Sequence, residues 1–302
     1  MKVQIYIIFF NNDVFSRRLF KKNHIFKRHS LILHLNMRKK LRIGLLNIMP
    51  EAEKYEINIL RLMEKQPIFI ETVLIKVTNH AYKSSDKQHI KNHYVTFWQA
   101  IENKNLDGLI VTGAPVENMD FEKITYWDEL CEIFAYAQQN IISTMGICWG
   151  GIAIGKYFGI NKVILPKKLF GVFTSECFQK EHWMYDKAMP LFDCPQSRYA
   201  GLNEEELAIA KKNGTIRLLV NSEEAGHFIF ESSDGRFIAH LGHPEYDINR
   251  IVFEYTRDQL KGLNHIPLHF DVNNPVNNWY QNSFNFFGRW LEMIMKIQSI
   301  GL

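Results

Sequence analysis

The sequence predicts an α/β fold built on a parallel sheet covered on both faces by helices, and three observations predict it. Short apolar runs alternate with amphipathic helical stretches from residue 41 onward, and such alternation builds parallel strands joined by crossover helices. The runs are near-continuous, as expected of strands buried on both faces. Two of them end in glycine-containing turns, "VTGAP" (111–115) and "GICWGG" (146–151), and ligands in such sheets gather at the carboxyl ends of strands.

Taken in order, "LRIGLLNIM" (41–49) reads as the first buried strand. "EKYEINILRLMEK" (53–65) reads as a helix with Ile57, Leu60 and Leu62–Met63 on its apolar face. "FIETVLIKV" (69–77) and "LDGLIVTGA" (106–114) are strands, and "YWDELCEIFAYAQQN" (126–140) is a helix with acids in its first turns, where the helix dipole favours them. "IISTMGICW" returns to strand and runs into the helix-compatible "GIAIGKYFG". Short strands follow over 216–247, with turns at Glu224–Gly226 and Ser233–Gly235. "INRIVFEYTRDQLKG" (248–262) is a helix stopped by Gly262, and "WYQNSFNFFGRWLEMIMKIQ" (279–298) is a helix whose aromatic stripe reads as core. No repeat or linker divides the body, so residues 37–302 are read as one domain.

Charge is unevenly placed along the 302 residues. The first 43 carry eleven Lys/Arg against the single acid Asp13, which leaves 25 basic and 31 acidic residues in the rest. The body is thus mildly acidic, with no basic stripe interleaved with aromatics, and nucleic-acid binding has little support. No apolar run approaches the ~18–20 residues of a membrane-spanning helix. Cys131, Cys148, Cys177 and Cys194 are widely spaced and form no C-x-x-C pair; this offers no zinc or redox motif, and reduced thiols in the cytoplasm are the expectation. Residues 1–36 are basic, aromatic-rich and aperiodic. They read as an atypical leader, either a targeting arm or a stretch upstream of a translation start at Met37.

A strand entering Gly-x-Cys-x-Gly-Gly and then a helix has the pattern of a nucleophile elbow. The turn is sharp and neighbouring chain passes close, which is why small residues flank the nucleophile. The helix start aims N–H groups and a positive dipole end at the sulfur, which is expected to lower its pKa and to hold an oxyanion. The stretch alone leaves a second reading open, because free cysteines are usually inert core residues. "LGHPEYD" (241–247) supplies a partner pair: His243 and Glu245 are two residues apart, on one side of an extended segment. A carboxylate there would fix the tautomer of an imidazole base.

With these residues in place, the chain resembles class I glutamine amidotransferase-like proteins of flavodoxin-like fold. It resembles more closely the homoserine O-acyltransferases of methionine biosynthesis. The matching segments are "LNIMP" (46–50), "LDGLIVTGAP" (106–115), "YWDEL" (126–130), "GICWG" (146–150), "PKKLFGVF" (166–173), "SRYA" (197–200) and "GHPEYD" (242–247), in family order over roughly residues 41–290. The resemblance implies Cys148 as acyl-accepting nucleophile, His243 as general base and Glu245 as its partner. It implies substrate-binding roles for Lys168, Ser197 and Arg257, and an arginine fork suits an α-carboxylate. Glu117 falls where the family separates acetyl-CoA from succinyl-CoA users; a glutamate there repels a succinyl carboxylate, which implies acetyl-CoA as donor. The implied reaction is ping-pong acetyl transfer from acetyl-CoA to L-homoserine, with oxyanion donors near Trp149 and the 113–115 loop. It needs no metal or bound cofactor, and the family implies a homodimer. Serine as acceptor, succinyl-CoA as donor, glutamine hydrolysis and a non-catalytic binding module are the alternatives. The chain departs from the family in having Ile152 where a glutamine is usual, "EAEKYE" at 51–56, and the basic leader.

Overall fold

In the computed structural model, residues 40–300 are described; the expectations for residues 1–36 lie outside them. The first half holds the predicted strands and helices, with α2, β3 and α3 in the polar stretch where no element was predicted: β1 (Lys40–Leu46), α1 (Ala52–Met63), β2 (Phe69–Lys76), α2 (Lys87–His93), β3 (Val95–Thr96), α3 (Phe97–Ile101), β4 (Gly108–Val111), α4 (Trp127–Asn140), β5 (Ser143–Ile147) and α5 (Trp149–Tyr157). The second half holds β6 (Lys162–Cys177), β7 (Leu191–Leu202), α6 (Glu204–Lys212), β8 (Ile216–Ser222), β9 (Gly226–Ser232), β10 (Phe237–His240), α7 (Ile248–Leu260) and α8 (Tyr280–Ile300).

The ten strands of the described residues form one sheet, in the order β3-β2-β1-β4-β5-β10-β9-β8-β6-β7. From β3 to β10 every neighbouring pair is parallel. From β10 to β7 every pair is antiparallel. The run β2-β1-β4-β5-β10 has the flavodoxin-like order, in which the chain reverses direction of growth after β2. That reversal leaves a crevice at the carboxyl ends of β1 and β4, and β5 and β10 finish beside it. Gly44 of β1 is pressed so closely by Leu106, Ile75 and Leu109 that a Cβ would lie within 2.7 Å of Leu106.

Helix α8 packs against α1 and β1. Its stripe is core, as expected: Phe286, Phe287, Trp290, Leu291 and Ile294 are buried, and Trp290 Nε1 donates to Ser143 Oγ of β5. Burying each such large side chain contributes about 1.5–3 kcal/mol. Helix α1 differs from its expected face. Ile57 is exposed, and the buried face is Tyr55, Glu56, Ile59, Leu62 and Met63. Two polar side chains displace the predicted apolar one because this face looks onto the carboxyl edge of the sheet, where both are hydrogen-bonded.

The long β6–β7 pair was not legible as strands. Pro166 stands within β6, and the register of β6 against β7 shifts between Ile164 and Leu169, so a two-residue alternation does not persist along it. Among the described residues no helix is long and apolar enough to cross a membrane.

Close packing at the start of α5 admits only glycine at Gly146 and Gly150. A Cβ on Gly146 would lie 2.3 Å from the Gly150 carbonyl oxygen. Gly146→Ala is therefore expected to lower stability by about 2–4 kcal/mol, read by urea unfolding; an unchanged midpoint would mean that the turn has slack.

Candidate active site

Cys148 ends β5 and precedes the first residue of α5, with φ 52° and ψ −115°. A non-glycine residue at positive φ is strained by about 1–3 kcal/mol. Its neighbours hold it there. The Cys148 N–H donates to the His240 carbonyl at 2.8 Å, while Gly150 and Gly151 sit against the backbones of Val111 and His240. The elbow reading of the sequence thus corresponds to an observed strand–turn–helix, with the thiol buried at the carboxyl end of the sheet.

The loop after β10 brings His243 to the same place, fixed by its N–H to the Pro195 carbonyl at 2.8 Å. His243 Nδ1 lies 2.7 Å from Glu245 Oε1, and Tyr55 OH donates to that same oxygen at 2.5 Å. An ionised carboxylate only accepts, so Nδ1 carries a proton and Nε2 is left for the thiol. Nε2 is buried without a well-aligned hydrogen-bond partner, although its ring and the sulfur interact electrostatically. Tyr246 stacks on the imidazole, with ring centroids 3.9 Å apart and 23° between planes.

The electrostatics correct one expectation. Burial pushes the Cys148 thiol up, and the pull of His243 in the other direction does not reverse it. The helix start alone therefore does not give a low-pKa thiol; the thiolate depends on an imidazolium beside it. Burial would lower His243, but Cys148 and Glu245 raise it well above the ordinary imidazole value. Burial would raise Glu245, yet the charge of His243 and hydrogen bonds from His243 and Tyr55 hold it below its ordinary range. These three groups titrate as a unit.

Glu117 reaches the site from the β4 loop. Its Oε1 is 3.9 Å from Cys148 Sγ, and its Oε2 accepts from the Tyr199 N–H at 3.1 Å. Burial raises its pKa, and the Tyr199 N–H opposes the rise.

Lys168, Ser197 and Arg257 converge on a second, charged cluster. Lys168, buried on β6, places Nζ 2.9 Å from Asp258 Oδ2 and 3.4 Å from Glu254 Oε2. Ser197 Oγ donates to Glu254 Oε2, and Arg257 Nη2 is 2.8 Å from Asp258 Oδ1. Arg257 is the most open of these, at 36% side-chain exposure. Tyr246 joins the clusters: its ring covers His243 and its hydroxyl donates to Glu254 Oε1 at 2.7 Å. Every sequence-predicted site residue is thus in one of two touching clusters. Sequence reasoning missed Tyr55, Tyr246, Glu254 and Asp258. The available signal was the four-residue spacing of Arg250, Glu254 and Asp258 on one face of α7, which ordinarily means a solvated face. Ile152, the departure from the family pattern, is fully buried in the core. Among the described residues no group of three His, Cys, Asp or Glu side chains is placed to hold a metal.

A buried Cys-His-Glu constellation lies at the switch edge of a flavodoxin-like sheet, and solved structures agree on the fold. A glutamine amidotransferase of Thermotoga maritima superposes with TM-score 0.56 at 12% identity, covering 84% of this chain and 98% of that one. One from Methylobacillus flagellatus gives 0.51 at 12% identity, covering 85% and 95%. The sequence profile of the homoserine O-succinyltransferase family matches residues 8–300, and the chain belongs to this family. Its relatives include proteins named homoserine O-acetyltransferase. That of Geobacillus sp. (strain WCH70) is 35% identical over 92% of this chain and 93% of its own length. That of Bacillus subtilis (strain 168) is 33% identical over 91% and 92%.

The charged cluster sets an acid response. Burial opposes ionisation of Glu254, yet Arg250, Lys168 and Ser197 bring its pKa down to about 2. The unfolded chain takes up this proton first, so the stabilisation is complete above about pH 4.5 and lost as pH falls toward 2, about 3 kcal/mol in all. Glu254→Gln is expected to reduce stability at neutral pH and to flatten the decline between pH 4.5 and 2, measured by urea unfolding across that range. An equally steep decline in the variant would assign the acid limb to other carboxylates.

Proposed function

We propose that this protein is a homoserine O-acetyltransferase, an acyl-CoA-dependent enzyme of methionine biosynthesis. The observation that carries the reading is the Cys148 elbow set against the His243–Glu245 pair, in a chain of this family. In the first half-reaction His243 Nε2 takes the thiol proton, and Cys148 S⁻ attacks the thioester carbonyl of acetyl-CoA. The Trp149 and Gly150 N–H groups, which precede the first bonded donor of α5 at Gly151, are the ones to hold the developing oxyanion. Gly113 lines the other side, where a Cβ would be 3.8 Å from the sulfur. Collapse of the tetrahedral intermediate breaks the C–S bond to CoA, which leaves with the proton from His243, and acetyl-Cys148 remains.

L-homoserine then enters beside the charged cluster, its α-carboxylate on Arg257 and its chain along Ser197. Lys168 shares the charge of Glu254 and Asp258, and Arg257, which holds Asp258 Oδ1 through Nε and Nη2, has Nη1 left for the substrate. His243 removes the hydroxyl proton, the alkoxide attacks the acetyl carbon, and Cys148 leaves as thiolate to recover the proton. Glu117, 3.9 Å from the sulfur, supports acetyl over succinyl, because a succinyl carboxylate would be driven toward a second negative charge. The four cysteines are unpaired, which suits the reducing cytoplasm; a homodimer is the assembly that the family resemblance favours.

A matrix of acetyl- or succinyl-CoA against homoserine or serine, followed by CoA release, tests the reading. Acetyl-CoA with homoserine is expected to give the highest kcat/KM; equal values for the two acyl donors, or preference for serine, would overturn the assignment. In Cys148→Ala, turnover and the acetylated Cys148 peptide seen by mass spectrometry are both expected to vanish, and full turnover would refute the covalent route. Glu117→Gly is expected to admit succinyl-CoA. No gain there would place donor selection on other residues.

A further inference from the structure

A second concavity lies on the same carboxyl edge, over β2 and the loop leading into α2. This cleft of about 380 Å³ is lined by Lys76, Lys83, Lys87 and Lys91, with His80 and Tyr82 forming an aromatic wall. The two rings meet edge to face, with centroids 4.7 Å apart. Among the described residues no carboxylate pairs with any of the four lysines. The acids close in sequence or space are already engaged. Asp86 accepts from the N–H groups of Gln88 and His89, and Glu129 accepts from the N–H and hydroxyl of Thr78. Lys87 and Lys91 stand one helical turn apart, a like-charge arrangement that disfavours the helix. Burial lowers the pKa of His80, so that ring offers a neutral face, and the positive charge comes from the lysines.

Uncompensated lysines beside a pair of rings are what phosphates and a purine would fill. The cleft is also connected to the nucleophile. His80 packs on Tyr126 at 5.3 Å, and Tyr126 packs on Trp149, the residue after Cys148, at 5.8 Å. Between β2 and β5 the sheet advances three strand spacings, about 14 Å. The pantetheine arm between a diphosphate and its sulfur has about twelve bonds, as many as four peptide residues, and reaches about 14 Å extended.

We propose that this cleft binds the phosphorylated adenosine end of the acyl donor, with the phosphates among Lys76, Lys83, Lys87 and Lys91 and the base against His80 and Tyr82. The inference rests on the reading of acetyl-CoA as donor, and two measurements separate them. Calorimetry with adenosine 3′,5′-bisphosphate probes the cleft without turnover. The triple variant Lys83→Ala, Lys87→Ala, Lys91→Ala is expected to bind it about tenfold or more weakly, with a shallower salt dependence, and the matching triple Lys→Arg variant is expected to retain binding. Steady-state kinetics then compare acetyl-CoA with S-acetylpantetheine, which lacks the nucleotide. The alanine variant is expected to lose kcat/KM for acetyl-CoA only. Unchanged bisphosphate affinity, no bisphosphate binding by the native protein, or equal losses with both donors would overturn the cleft assignment. Cleft-dependent bisphosphate binding with no acetyl transfer from either donor would instead leave the cleft standing and remove the proposed reaction.

Discussion

The backbone of Cys148 is the constraint on which the site depends. At φ 52° an ordinary side chain is held in a region normally left to glycine, and the surrounding structure has to hold it there. Gly146 and Gly150 let β5, α5 and β4 approach to distances that a Cβ would forbid, and Gly151 lies on the His240 backbone. A carbonyl of β10 anchors the Cys148 N–H. Three parallel strands therefore cooperate to aim one sulfur. The same strand, β10, continues directly into the loop that carries His243 and Glu245, so the groups that shape the turn also bring the imidazole to it.

Burial then determines what that sulfur can do. A thiol sealed from water resists ionisation, and here burial outweighs the nearby imidazole at Cys148. The compensating charge is built on the other partner: against burial, Cys148 and then Glu245, itself supported by Tyr55, raise His243 well above its ordinary value. This arrangement favours proton exchange within the pair over a permanently ionised nucleophile. Around it, Lys168, Glu254, Asp258 and Arg257 form a network in which each charge has an opposite neighbour. Removing one member of such a buried network leaves another uncompensated, which is why single losses are severe.

Much of this was legible in the sequence, for physical reasons that differ by element. The central strands show as apolar runs because they are covered on both faces, and α8 shows because its aromatics repeat with a helical period. The placement of Cys148, His243 and Glu245 was readable because a glycine-flanked turn and a two-residue extended spacing are local patterns. Tyr55 and Glu56 hid inside an amphipathic helix, where Ile57 looked like the buried residue. Glu254 and Asp258 had the spacing of a solvated charged face, and only the long-range approach of β6, with Lys168, turns that face inward. The β6–β7 pair was obscured by Pro166 and a register shift. Local pattern reports what a segment does within itself, whereas these features are set by partners distant in the chain.

Tyr246 places a limit on how this site can be dissected. Its ring lies flat on the His243 imidazole while its hydroxyl serves a carboxylate of the neighbouring cluster. One rigid side chain thus belongs to both halves, and a displacement felt by either is transmitted to the other. Free-energy changes measured at His243 and at Glu254 will not sum. The imidazole and the charged cluster behave as one coupled body, and only paired substitutions can apportion it.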